Sequence, residues 1–265
     1  MRRRTLTELA SNPDLISGIY NYCDRWCERC PLTTRCLVYA TEQVNHHESP
    51  ESQDIRNEAF WHKLSSVLLE TQQMITEWAN EAGIDLSQVP DENPTTRKRR
   101  RQLVDNHPLA RAGKKYANAA SDWFREFDQN VEISDQRATE AEREQVEQFD
   151  DAREVVQWYQ YQIAVKIIRA LSCRTDGWED SPDLAEFPKD SDGSAKVALI
   201  GIDRSIAAWR LVQLSTPDRA DSIVVLILQL ERLRKRVEKH FPEAREFIRP
   251  GFDEPIPQRI ECNAR

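Results

Sequence analysis

The sequence predicts an all-α protein: a bundle of about five long helices, preceded by an N-terminal cysteine-rich metal-binding segment. Three observations predict it. Glycine is scarce, at 7 of 265 residues, whereas a β-rich chain of this size draws on glycine for turns and bulges. Apolar residues recur at i, i+3 and i+4 through most of the chain. No alternation of strand and helix patterns runs along it. The length suffices for one large or two small domains with a core. The expected division is a cysteine-rich segment at 1–49, a helical bundle at 50–242 and an extended tail at 243–265, within one domain overall.

Asn12 is a candidate N-cap with Pro13 at the first helical position. Leu15, Ile19, Tyr22 and Trp26 follow at helical spacing, which predicts a short helix ending near the first cysteine. A second short helix is expected over about 33–44, then a polar loop with Pro50. The first long helix is expected over about 54–82, with Phe60, Leu64, Val67, Leu68, Thr71, Ile75 and Trp78 as its core face and Gly83 as its stop. Residues 84–96, with Pro90 and Pro94, read as loop leading into a basic run.

The next helix is expected over about 108–128, its core face running from Leu109 through Tyr116 and Trp123 to Phe127. Residues 132–154 carry nine Asp or Glu against three Arg and read as a solvated lead-in. Val156, Tyr159, Ile163 and Ile167 then mark a buried helix over about 150–171. After a loop from 174 to 193, a helix over about 194–214 is apolar on most sides, which predicts a central position. Thr216-Pro217-Asp218 opens the last helix, whose face is Ile223, Leu226, Ile227, Leu230, Leu233 and Val237 and which Pro242 ends. Pro250, Pro255 and Pro257 give the tail an extended character.

Net charge is −8 and the isoelectric point about 5.3, which argues against wholesale binding of nucleic acid or acidic membranes. No apolar run approaches the roughly 18 residues that span a bilayer. The start, MRRRTLTELASNP, is basic but lacks an apolar h-region. The expected location is cytoplasmic, with no membrane partner. In that reducing setting, clustered cysteines are more often metal ligands or redox groups than disulfides.

Four of the six cysteines lie in YCDRWCERCPLTTRCLVY, residues 22–39. Cys23, Cys27, Cys30 and Cys36 follow the spacing C-x3-C-x2-C-x5-C, and all four are expected to bind one metal ion or cluster. Sulfurs this close in sequence converge with little loop entropy to overcome. Backbone N–H groups beside loop cysteines stabilise thiolate charge. Arg25, Arg29 and Arg35 offset that charge, while Asp24 and Glu28 partly cancel the effect. The expected cofactor is a [4Fe-4S] cluster, with zinc as the alternative. Two closely set pairs are a tight but feasible arrangement for tetrahedral zinc. Disulfides or unrelated thiols are the plain alternative.

Cys27, Cys30, Pro31 and Cys36, in CERCPLTTRC, form C-x2-C-P-x4-C. This resembles the segment that staples a [4Fe-4S] cluster in RecB-like iron–sulfur nucleases. The resemblance covers about ten residues and implies a cluster, not a nuclease, because the strands carrying that activity's acidic and lysine residues have no counterpart here. Cys23, Cys27 and Cys30 also match the spacing of radical S-adenosylmethionine enzymes, but Arg29 stands where those have an aromatic residue, and the β/α barrel pattern is lacking.

Other constellations are weaker. His46 and His47 read as loop histidines that at most substitute for a missing ligand. Cys173 and Cys262 read as structural thiols. Glu58 and His62 lie i, i+4 on one helix, short of the Glu-x-x-His of di-iron bundles, and Glu154 and Glu231 lie on other helices. Arg204, beside Asp203 in the most apolar helix, is expected to need a partner, with Glu154 and Glu231 as candidates. Arg97, Lys98, Arg99, Arg100 and Arg101, with Arg111, Lys114 and Lys115 against Asp105, make a basic patch. It is the candidate surface should nucleic acid bind, though a solvated loop and helix start is the expected role. A protein partner, an iron–sulfur or zinc staple and a helical metalloenzyme are the function classes left open.

Overall fold

A computed structural model describes residues 12–46, 50–88, 93–129, 140–182 and 188–253, together with Leu9. His47, Pro90, residues 132–139 of the acidic stretch, Pro255, Pro257 and Cys262 lie outside the described residues. The described residues form seven α-helices joined by turns and short 3-10 segments, with no strand. The helices are α1 (Leu37–His46), α2 (Glu58–Glu81), α3 (Pro94–Asn106), α4 (Pro108–Gln129), α5 (Glu140–Asp176), α6 (Asp190–Ser215) and α7 (Ala220–His240). The fold is all-α, as the sequence predicts. The chain divides into two units, the smaller holding residues 1–20 and 27–94 and the larger holding 21–26 and 95–265.

In the larger unit, α4, α5, α6 and α7 form a ring in which each helix packs on two neighbours, with the most extensive pairing between α5 and α6. The core runs through Tyr116, Trp123, Tyr159, Ile163, Ile202 and Leu230, all buried. α6 is buried on nearly every side, because Ala195, Ala198 and Gly201 let neighbours approach closely. A Cβ at Gly201 would meet Tyr159 Cδ1 at 2.9 Å. Two indoles buried in or beside this core keep their N–H satisfied: Trp209 Nε1 donates to Tyr116 Oη at 2.9 Å, and Trp123 Nε1 to Ser222 Oγ at 2.9 Å. α6 begins where the buried Glu179 carboxylate accepts the Ser191 N–H at 2.7 Å, a capping contact at the positive helix end.

Two elements differ from the sequence reading here. The basic run lies within α3 and not in a loop: Pro94 opens the helix, and Val104 is its buried contact. α5 starts at Glu140, so part of the acidic lead-in is helical, with exposed side chains from Arg143 to Gln148. Without a tertiary partner, such a polar face carries no apolar signature, although its residues are good helix formers.

In the smaller unit, Asn12 does not cap a helix. Its side chain accepts the Asp14 N–H at 3.0 Å in a local turn, and the following residues form turns up to a 3-10 segment, Ile19–Asn21. Ile16 N donates to Arg35 O at 2.9 Å, and Arg35 Nε to Asp14 O at 3.3 Å, which pins this turn to the residues before α1. α2 starts at Asn57, whose side chain accepts the Ala59 N–H, and stops before Gly83, which takes φ 68°. The face of α2 expected to be core is exposed instead: Leu68 and Trp78 are about 60% accessible.

Candidate metal centre

The segment Asn21–Trp26 belongs to the larger unit, where α5 and α6 hold it through Asp24. The Asp24 carbonyl accepts Trp158 Nε1–H at 3.0 Å and a second bond from the Gln162 amide. Its carboxylate accepts Arg204 Nη1–H at 2.7 Å and the Tyr159 hydroxyl, and Arg204 also donates to Tyr159 Oη. Burial and the adjoining Asp24 carboxylate hold the Tyr159 phenol well above its ordinary range, so it stays a donor. Trp26, itself buried, stacks on Trp158 with centroids 5.0 Å apart and meets Tyr159 edge-on at 6.1 Å. The irregular stretch that follows Asn21 is thus fixed by hydrogen bonds at one residue and an indole stack two residues on.

Tyr22 forms the other end of this anchor. Its ring packs on Phe247 at 4.7 Å and lies over Gly193, where a Cβ would fall 2.4 Å from Tyr22 Cε1. Burial and a hydrogen bond to Asp190 raise the Tyr22 pKa. Burial opposes ionisation of Asp190, but bonds from Tyr22, Cys173 and Arg169 outweigh it, and the carboxyl lies below its ordinary value. Cys173 Sγ donates to Asp190 Oδ2 at 3.2 Å, and burial with that bond pushes the thiol up to about 12. Cys173 is therefore a protonated structural thiol, the role the sequence suggested.

Cys23 sits between these anchors. Burial raises its pKa, opposed by a hydrogen bond from the Arg25 backbone N–H and by the charges of Lys166 and Arg25. Arg25 adopts φ 59°, in the left-handed region. That conformation costs about 1–2 kcal/mol for a residue with a Cβ. Lys166 is 9% exposed and donates to Asn21 O at 3.4 Å. Burial lowers its pKa, and the Cys23 charge opposes that shift.

Cys27, Cys30 and Cys36 belong to the smaller unit. Cys27–Arg29 and Thr33–Arg35 are single 3-10 turns; Cys30 N donates to Cys27 O at 3.2 Å and Cys36 N to Thr33 O at 3.2 Å. The Leu32 N–H reaches Cys30 Sγ at 3.4 Å. Cys30 thus repeats the relationship at Cys23: the sulfur accepts the N–H two residues ahead. Cys36 stands immediately before α1, and its carbonyl accepts the Ala40 N–H at 3.0 Å.

All four cysteines are half-buried, and none of them, nor Cys173, is in a disulfide. Among the described residues, no three His, Cys, Asp or Glu side chains converge closely enough to hold one ion. The remaining candidates have local roles. Glu58 and His62 form an exposed pair at 3.4 Å. Arg204 pairs with Asp24 and not with Glu154 or Glu231. Asp203 accepts from Arg234 at 3.2 Å and Arg245 at 2.7 Å. On α3, Arg97, Lys98, Arg99 and Arg101 are exposed, while Arg100 pairs with Asp176 at 2.9 Å.

Sequence reasoning missed Lys166, Tyr159 and Trp158, which surround residues 21–26. Lys166 was legible in principle, as a cation among Ile163, Ile167 and Ala170 on a buried helix. Tyr159 and Trp158 had no signal beyond their place on an apolar stripe. No family model, curated protein or solved structure matches this chain. No helix among the described residues is long and apolar enough to cross a membrane.

Proposed function

We propose that Cys23, Cys27, Cys30 and Cys36 together hold one [4Fe-4S] cluster, in a helical protein that uses it for electron transfer, redox sensing or structural cross-linking in a reducing compartment such as the cytoplasm. The observation that carries the reading is the repeated N–H···S bond, from Arg25 to Cys23 and from Leu32 to Cys30. Backbone donors aimed at sulfur stabilise thiolate charge, and they are of little use to a neutral thiol. The cations nearest Cys23, Lys166 and Arg25, supply the positive charge that an anionic thiolate cluster needs. The resemblance of Cys27, Cys30, Pro31 and Cys36 to the stapling segment of RecB-like iron–sulfur nucleases supports iron over zinc.

When bound, the cluster supplies a one-electron couple or a rigid covalent link. The chain's own residues do the rest. Asp24 fixes the backbone beside Cys23 against α5 and α6, and the Trp26–Trp158 stack holds the chain three residues on. Lys166 sets the local charge.

Anaerobic purification followed by iron and sulfide analysis tests the proposal. The expected result is a brown protein with about four irons and four sulfides per chain, lost when any of the four cysteines becomes serine and kept in Cys173→Ser. A colourless protein with one zinc per chain replaces the cluster with a zinc staple of an interaction protein. A metal-free protein overturns both. Redox titration then separates a reversible couple from a silent staple. The exposed basic face of α3 is the surface on which a nucleic-acid accessory role would rest, tested by salt-dependent DNA or RNA binding before and after neutralising Arg99 and Arg101.

A further inference from the structure

The exposed face of α2 carries an ordered pattern. Trp61, Leu64, Leu68, Thr71, Ile75 and Trp78 follow one another at alternating steps of three and four residues. That is the 3.5-residue repeat of a coiled-coil seam, which suits another helix as occupant better than a flat sheet or a lipid surface. Trp61 is 51% exposed, Leu68 61%, Ile75 50% and Trp78 60%. The two polar groups on the seam whose partners are known are satisfied within the chain: Trp61 Nε1 donates to Ile55 O at 2.9 Å and Thr71 Oγ1 to Val67 O at 2.8 Å. Thr71 therefore offers its methyl group outward. α2 has 24 residues, about 36 Å of helix.

We propose that α2 is a self-association helix, and that its occupant is α2 of a second copy of this chain, running antiparallel. The seam reads nearly the same in both directions. Laid against itself about its midpoint, Trp61 meets Trp78 of the second copy, Leu64 meets Ile75, and Leu68 meets Thr71. The residues flanking the seam bring no like charges together, because Ser65 faces Gln72, Val67 faces Met74, and Glu81 faces Phe60. The remaining charges favour the same direction. The first half of α2 carries Lys63 and the pair Glu58–His62, and the second half carries Glu70, Glu77 and Glu81 with no cation. An antiparallel arrangement sets the acidic half against the half with Lys63, whereas a parallel one sets acid against acid. Two antiparallel copies make a closed twofold pair, which leaves no seam open for further growth.

Sedimentation velocity of the full chain under reducing conditions tests this, with helicity followed by circular dichroism. The expected result is a dimer in the micromolar range. Leu68→Glu, at an exposed position that leaves the helical content unchanged, should weaken the dimer about a hundredfold or more, because the loss counts once in each copy. Leu68→Lys combined with Thr71→Glu should restore the dimer, since antiparallel pairing sets each lysine against the other copy's glutamate. A wild-type chain that stays monomeric overturns the proposal. So does a dimer that survives Leu68→Glu. A dimer abolished by Leu68→Glu and not restored by the charge pair overturns the antiparallel pairing. Metal content is not read in any of these measurements, so the cluster and the seam stand or fall separately.

Discussion

Arg204 and Asp24 lie 180 residues apart in the chain and meet at 2.7 Å. The contact joins the middle of α6 to the residue that follows Cys23. Asp24→Ala is expected to destabilise the fold by about 1–3 kcal/mol, because it strips partners from Tyr159 and Arg204 together. The arginine side chain is 55% exposed, so the pair's own coupling should be only about 0.5–1 kcal/mol. A double-mutant cycle in urea with Asp24→Ala and Arg204→Ala measures it. Strict additivity would show that the carbonyl bonds to Trp158 and Gln162 hold the segment without the ion pair.

Replacing the Leu32 backbone amide with an ester removes the N–H that reaches Cys30 Sγ without locking φ, and leaves all four cysteines in place. Loss of such an outer contact should lower metal affinity about tenfold. Competition with a chelator reads this out, with Leu32→Ala as the control that keeps the donor. Equal affinity in the two variants would remove the Cys30 bond from the account of the site.

Gly193→Ala would ordinarily stabilise a helix, by about 1 kcal/mol. Here the new methyl meets Tyr22 at 2.4 Å and Phe247 at 2.6 Å. The expected outcome is a net loss of about 1–3 kcal/mol by thermal or urea unfolding. Because Tyr22 adjoins Cys23, occupancy of the proposed cluster should fall as well. Adding Tyr22→Ala to Gly193→Ala should relieve the crowding in part.

The fold class and the four ring helices α4 to α7 were legible in the sequence because their apolar residues repeat with the period of the faces they bury. Tyr116, Tyr159, Leu199 and Leu230 are all buried where the pattern put them. The same rule misled at α2, since a 3.5-residue seam has the same appearance whether its partner lies in the chain or outside it. It also failed at Asn12, where an N-cap residue and a proline opened a turn. A cap signal specifies only the first few hydrogen bonds, and no apolar face keeps a helix going there. The cysteine spacing was visible at once. The anchors of residues 21–26 were not, because Tyr159, Lys166 and Arg204 reach them through tertiary contacts that no local pattern encodes.

His107 and His240 pack with ring centroids 5.0 Å apart and planes tilted by 60°. Both pKa values lie below the ordinary 6.5, through burial first, then nearby arginines and, at His240, the charge of His107. The unfolded chain therefore binds more protons than the folded one in this range. The contribution is fully present above about pH 6.5 and is lost as pH falls toward the folded values. Protonation also removes the acceptor for the Leu109 N–H, which bonds to His107 Nδ1 at 3.2 Å. The melting temperature should drop between about pH 7 and pH 5, and His240→Gln should flatten that slope. An unchanged slope would assign the drop to other groups.

Tyr116→Phe tests the buried bond to Trp209. The substitution keeps the ring and leaves an indole N–H without an acceptor in the core, which should cost about 1–3 kcal/mol in urea denaturation. A neutral result would mean that the indole finds another acceptor.

The 180-residue separation between Asp24 and Arg204 also sets an order of events on the ribosome. At about 5–20 residues per second, Asp24 is polymerised roughly 10–40 s before the arginine that secures it. Outside the exit tunnel, and until Arg204 is made, Cys23 lacks the α5 and α6 surface against which its neighbour Asp24 is held in the folded chain. Pulse-labelled synthesis with a thiol-reactive probe would register the moment of closure.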